Sequence, residues 1–466
     1  MTATAAPPIN LVWKKALIFM GVMALGLAAV ITKDDPLPKW FLILCALSGG
    51  IYFLRSGLLR LEILLCLLVA YLPFSIEVPM DLAIPGFNFT NFLIAVSLLL
   101  WLKMPKDELG PTDRIPLKTP FKIFLILGFF SILRGVGFGM DYLGEASIEF
   151  YRKWVVPIFL FFLYSRAVRD KETLKNIVIV LVAVVTLVGL MAIYEYLDTD
   201  ERVGGVFNQP NQLAAFFNYY MFIPFAFFFL NMKRVRNWAW LIPFLICLRG
   251  VMVTFSRAGY MAFVVSIFAI TFFRSKKLIL ILGILALMVY KNPALLPHGV
   301  RYRLDQTVEH TPTYSKAVRI GGNALDQSSS DRVKVWAGAL FMIHEHPFLG
   351  VGYHLFEKKI LHYYTGRKAH DPHNTYLYIA AELGIPALLI FLWILWKVFL
   401  EARRVYRESK DPFLKALGLG FLAGFFAILI SNMFGSRLNY TEISSYFWIL
   451  AALIFRARKL EAVKPE

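Results

Sequence analysis

The chain alternates long apolar blocks with short polar connections over most of its 466 residues. Blocks such as "NIVIVLVAVVTLVGLMAIYEYL" (176–197) and "TYLYIAAELGIPALLIFLWILWKV" (375–398) are continuous, with neither a polar helical stripe nor strict alternation. Each reaches the roughly 20 residues that a helix needs to cross a bilayer core. The pattern predicts an all-α polytopic integral membrane protein with about 12–14 transmembrane helices. Spans are expected near 12–31, 40–54, 58–75, 88–102, 120–134, 150–165, 176–197, 212–230, 238–255, 258–273, 277–290, 375–398, 413–434 and 442–455. The first lacks a small-residue cleavage site before "TKDDPLPK" and is expected to stay as an anchor.

Composition supports the same class. The chain is 58% hydrophobic with mean hydropathy +0.61, more apolar surface than one soluble core can hide. A net charge of +18 raises the question of nucleic acid. The Lys and Arg residues, however, sit in short runs between apolar blocks instead of gathering on one soluble face, so no nucleic-acid partner is expected. With a cytoplasmic N-terminus, every second connection is basic, for instance Arg166, Arg169, Lys171 and Lys175, or Arg403, Arg404, Arg407 and Lys410. The short connections on the other side collect Asp34, Asp35, Glu77, Asp81, Asp141, Glu145, Asp198 and Asp200. This positive-inside alternation predicts that both termini are cytoplasmic. Cys45, Cys66 and Cys247 all lie inside apolar blocks and suggest neither disulfide nor metal site.

One connection breaks the rhythm. Residues 291–374 form a long segment of mixed polarity between two spans, and the charge pattern puts it outside. The chain therefore divides into N-terminal membrane helices (1–199), core membrane helices with arginine motifs (200–290), a large periplasmic loop (291–374), and C-terminal helices with a cytoplasmic tail (375–466). Within the loop, Val333, Trp336, Ala337, Leu340 and Phe341 recur at helical spacing before Pro347, Gly350 and Gly352, which predicts an amphipathic helix over the membrane body. "GGNALDQSSSD" ahead of it reads as a mobile linker. All eight histidines lie between His298 and His373, so chemistry is sought there.

The topology gathers four segments on the outer face: "ERVGGVFNQPNQLAAF" (201–216), "TFSRAGYMAF" (254–263), "DRVKVW" with "HPFLGVGYHLF" (331–356), and "DPHNTYLYIAAELGIP" (371–386). The first three carry Arg202, Arg257 and Arg332, and the last carries His373. Arginine stays charged and presents a planar fork that matches phosphate oxygens, so several together suit a diphosphate. A neutral histidine can take a proton from a hydroxyl nucleophile at physiological pH. The combination fits group transfer from a diphosphate leaving group, with a lipid-linked donor because the site faces outward.

These four segments resemble, in order, the motifs of the O-antigen ligase and polymerase superfamily over roughly residues 200–400. The resemblance implies a GT-C-like membrane glycosyltransferase of the bacterial inner membrane. Its donor would be a glycan on undecaprenyl diphosphate, and its acceptor a sugar hydroxyl on a lipid-linked repeat or on lipid A core. It further implies inversion, no metal and no cofactor, with His373 as base and Arg257, Arg332 and Arg202 as diphosphate ligands. The added N-terminal spans lean toward a polymerase of surface or exopolysaccharide over a ligase.

Other residues have weaker reasons to belong to the site. Tyr353 and His354, beside the glycine turn, are candidates for an acceptor groove, and Trp336 and Tyr376 for stacking on sugar rings. Asn374 or Asp371 is expected to cap the helix after His373. Arg249 lies within an apolar block, where a charge needs a partner or a polar cavity; Glu149, Glu382 and the outer headgroup region are the options. "DTD" (198–200), "HEH" (344–346) and "HDPH" (370–373) lack a supporting ligand set for a metal. Two rival functions remain. A transporter would place its polar motifs at the bilayer midplane within repeated halves, which this chain does not show. A protein O-oligosaccharyltransferase would share the catalytic motifs.

Overall fold

The computed structural model describes residues 60–76, 89–103, 117–296, 298–305, 308–309, 318–320, 323–364 and 371–462. The expected spans at 12–31 and 40–54 lie outside the described residues. The architecture is all-α in its membrane body. The N-terminal half runs through α1 (Leu61–Tyr71), α2 (Phe89–Lys103), α3 (Lys118–Arg134), α4 (Met140–Phe150), a π-helical turn (Tyr151–Val155), α5 (Val156–Ala167) and α6 (Lys171–Thr199). Then come α7 (Pro210–Tyr220), α8 (Phe222–Leu230), α9 (Leu241–Val253), α10 (Arg257–Arg274) and α11 (Lys276–Lys291).

Among the described residues, five stretches are long and apolar enough to cross a membrane by length and composition. They are α6, the continuous pair α7–α8, α10, and two helices near the C-terminus, α16 (Ile385–Glu408) and α17 (Pro412–Met433). The last helix, α18 (Thr441–Ala462), is buried on nearly every side, from Tyr446 and Phe447 to Ala457. A helix apolar all round belongs inside a bundle. It packs against α5 and α16, and α17 packs along α10, α8 and α16.

The long connection is folded. It contains α12 (His298–Asp305), a small antiparallel sheet of β1 (Val308–Glu309), β2 (Arg319–Ile320) and β3 (Asn323–Leu325) in the order β1–β3–β2, α13 (Gln327–Glu345) and α14 (Phe356–Lys359). The sheet was not legible in the sequence, and the expected linker "GGNALDQSSSD" supplies β3 and the first turn of α13 instead. The expected amphipathic helix exists, but its buried face is Ser330, Val335, Gly338, Ala339 and Met342, while Leu340 and Phe341 are exposed. The small residues win because Gly338 lies against Ile360 and the backbone of Tyr363, where a larger side chain would crowd.

The expected span at 375–398 is two helices. A short α15 (Thr375–Leu383) ends at Gly384, whose φ of +92° breaks the helix, and α16 begins directly after it. The segment 347–352 docks into this break by backbone hydrogen bonds: Val351 N–H to Ala381 O at 2.8 Å, Gly352 N–H to Glu382 O at 3.3 Å, and Ile385 N–H to Pro347 O at 2.7 Å. At Gly384 a Cβ would run into the Phe348 carbonyl, and at Gly350 (φ +64°) into the Glu382 backbone. "HPFLGVG" and "ELGIP" are therefore two halves of one interlocked structure.

Candidate active site

Arg202 is held by its own surroundings. Its Nε donates to the Thr254 carbonyl at 2.8 Å and a terminal nitrogen donates to Asn211 Oδ1 at 3.1 Å. Asn211 Oδ1 also accepts the Ser256 hydroxyl at 2.8 Å, so the motifs 201–216 and 254–263 are stitched together. Ser256 is in turn the N-cap of α10 and accepts from Gly259 N–H. That places Arg257 at the first helical position, where its charge opposes the helix dipole. Arg257 relieves this by an ion pair with Asp326, the N-cap of α13. Burial together with the like charge of Arg303 pushes the Arg202 guanidinium below the ordinary arginine range, and Arg257 adds to it.

Arg332 stands one and a half turns into α13. Among the described residues its Nε is buried without a hydrogen-bond acceptor. Burial first, and then the positive charges of Arg437, Arg257 and Arg202, lower its pKa, with Asp326 as the counterweight. Arg437, 4% exposed in the turn between α17 and α18, bonds to Gln209 Oε1 at 3.0 Å and lies within electrostatic reach of Asp371. A buried donor without an acceptor costs free energy unless something supplies one. The arrangement is a cluster of cations in which one buried guanidinium nitrogen lacks an acceptor among the described residues.

The start of α15 is joined to this cluster. Trp336, one turn beyond Arg332 on α13, donates its indole N–H to the Pro372 carbonyl at 2.7 Å. Asp371 Oδ1 accepts the backbone N–H of His373 at 2.6 Å. His373, half-buried, has φ +48°, a left-handed conformation that few non-glycine residues adopt. Asn374 caps α15 by accepting from the N–H groups of Tyr376 and Leu377 at 3.0 and 3.1 Å.

Not every candidate reaches this place. Tyr376 turns its hydroxyl to the Leu429 carbonyl at 3.1 Å, against α17. Trp336 spends its N–H on Pro372 and sets its ring near Phe434. Tyr353 is 2% exposed, packed edge-on against Phe150 at the far end of α15 near Glu382, so it belongs to the core. His354 (φ +63°) sits beside it. Burial, then Lys153, lowers the His354 pKa, opposed by Glu149. Among the described residues Arg249 pairs with neither Glu149 nor Glu382; its guanidinium lies over the Tyr196 ring at 5.2 Å.

Sequence reasoning missed Arg437 and Arg303. Arg303, on α12, donates to the Phe255 carbonyl at 3.3 Å and is the first like charge felt by Arg202. A signal for Arg437 was present: it is a basic residue in a short connection on the side where the charge pattern otherwise places acids.

The O-antigen ligase family model matches residues 242–392, a stretch that contains Arg257, Arg332 and His373 but not Arg202 or Arg437. No curated protein matches the chain. The family comprises glycosyltransferase-like membrane enzymes, ligases and polymerases, that use lipid-linked glycans. The matched stretch and the apolar helices around it therefore make this a membrane protein whose domain at residues 242–392 belongs to the O-antigen ligase and polymerase superfamily.

Proposed function

We propose that the protein transfers a glycan from undecaprenyl diphosphate to a sugar hydroxyl on the periplasmic face of the bacterial inner membrane. The observation that carries this reading is the buried Nε of Arg332, which lacks an acceptor among the described residues and feels the charges of Arg202, Arg257 and Arg437, beside the helix start that bears His373. The arginines take the diphosphate. As the bond from the anomeric carbon to the phosphate oxygen breaks, the added negative charge on the leaving diphosphate falls among fixed guanidinium donors. The acceptor oxygen attacks from the opposite side, and His373 takes its proton. A single displacement of this kind inverts the anomeric centre. The guanidinium groups supply the charge that a divalent cation supplies elsewhere, so transfer without metal is expected.

The same reading gives the lipid a berth. A groove of 410 Å³ lined by Leu190, Met191, Tyr194, Glu195, Gly205 and Val206 opens between α6 and the segment that follows Arg202. The undecaprenyl chain would lie along it, with the large loop periplasmic and both termini cytoplasmic. The apolar blocks ahead of residue 200 favour a polymerase of surface or exopolysaccharide over a ligase to lipid A core.

The test is transfer in vitro from a defined undecaprenyl-diphosphate repeat, with and without lipid A core, reading product length. A polymerase gives a ladder without the core; a ligase needs the core. His373→Ala should lower transfer by about 10²–10⁴-fold. Wild-type transfer by a folded, inserted His373→Ala protein would sink the assignment.

A further inference from the structure

His373 occupies a left-handed backbone conformation, and the residues on either side of it, Asp371 and Thr375, are bonded to the end of α17 and the turn after it. Asp371 Oδ1, which accepts the His373 N–H, also accepts the Ser436 hydroxyl at 2.6 Å. Two residues beyond His373, the Thr375 hydroxyl donates to Asn432 Oδ1 at 2.5 Å. The same oxygen accepts the Leu438 N–H at 3.0 Å, while the Asn432 amide donates to the Tyr219 hydroxyl at 3.1 Å and to the Ile428 carbonyl at 2.8 Å. One asparagine thus joins α7, α15, the end of α17 and the turn that carries Arg437. Asn432 is fully buried and Ser436 is 2% exposed, so neither reaches a bound glycan.

We propose that Ser436 and Asn432 are positioning residues for His373. They brace the turn on both sides of the imidazole, Ser436 through Asp371 and Asn432 through Thr375, and so set the direction in which His373 faces the acceptor. The inference rests on the proposed role of His373 as base. Ser436 lies beyond the end of α17 and gives its hydroxyl to Asp371, so its removal is expected to release the turn without releasing the helix.

The experiment uses the full chain in detergent or liposomes with Ser436→Ala, Ser436→Thr and Thr375→Val. Transfer is measured as separate kcat and KM, and the rate of His373 carbethoxylation by diethylpyrocarbonate is followed against pH by peptide mass spectrometry. Ser436→Ala and Thr375→Val should each lower kcat about tenfold with the donor KM within about twofold. They should change the reactivity of His373 and leave His344 and His362 as they were. Ser436→Thr, which keeps the hydroxyl, should restore both readouts. An unchanged kcat, or a uniform change at every histidine, overturns the proposal. Carbethoxylation needs no turnover, so unaltered His373 reactivity in Ser436→Ala refutes the positioning whatever His373→Ala does to transfer. If His373→Ala transfers normally while His373 reactivity still answers to Ser436, the proposed function fails and the control of the turn stands.

Discussion

Trp336 and Pro372 are joined by an indole hydrogen bond of 2.7 Å that couples the helix of Arg332 to the residue before His373. The side chain is a tie-bar between the arginine cluster and the proposed base. Trp336→Phe keeps an aromatic ring near Phe434 and removes the donor together with part of the ring volume. Stability should fall by at least about 1 kcal/mol, the net worth of one hydrogen bond, while transfer falls further through kcat. Thermal unfolding beside single-turnover rates checks this, and an unaffected kcat would reduce the bond to a structural detail.

Arg332→Lys keeps the charge and loses the planar fork. If the unsatisfied Nε turns to the diphosphate when the donor binds, lysine cannot replace it. Donor affinity should weaken by about 10- to 100-fold, the range for a hydrogen bond to a charged group. Titration with undecaprenyl diphosphate, read by the quenching of Trp336 or by calorimetry, measures it; equal affinity in the lysine variant argues against direct contact.

Gly384→Ala inserts a Cβ where φ is +92° and where the Phe348 carbonyl already sits. Both effects act together, so destabilisation on the order of 2 kcal/mol or more is expected. Protease sensitivity of the segment 346–356 should rise with it, since that segment docks on the glycine. A variant as stable and as resistant as the parent would mean that the two segments part easily.

Glu382 gives the fold a pH dependence. It is fully buried at the end of α15 and accepts the Phe356 N–H at 3.1 Å. Burial pushes its carboxyl up to about 8, with the Phe356 and His354 N–H groups and Lys153 pulling the other way. Between the ordinary carboxylate pKa and about 8 the folded chain holds a proton that the unfolded chain has released, so stability declines as pH rises through that window and then levels off. Glu382→Gln keeps the acceptor and removes the titration. Its unfolding temperature should be flatter with pH and exceed the parent's above pH 8 or so; parallel curves for the two proteins would show that the carboxyl does not titrate there.

The spans were legible because a bilayer forces long apolar runs, and α6, α10 and α17 lie close to where the blocks put them. The break inside 375–398 was hidden because both sides of Gly384 are equally apolar, and only the docked segment reveals why the chain turns there. In α13 the periodicity gave the helix but not its face: bulky Leu340 and Phe341 outweigh Gly338 and Ala339 on any hydrophobic count, whereas close approach selects the small pair. Strands of two or three residues are too short for alternation to register. Arg202, Arg257, Arg332 and His373 were legible as residue types in loop motifs. The partners that aim them, Asn211, Asp326, Asp371 and Ser436, were not, because each lies far along the chain from at least one residue it contacts.

The three backbone bonds between 347–352 and the α15–α16 break are indifferent to which side chains the loop carries. The described part of the loop is thereby moored by its main chain, and the mount itself constrains Gly350 and, opposite it, Gly384, where a side chain would meet backbone. Exposed side chains such as Leu340, Phe341 and Phe348 take no part in these bonds and can be exchanged without disturbing them.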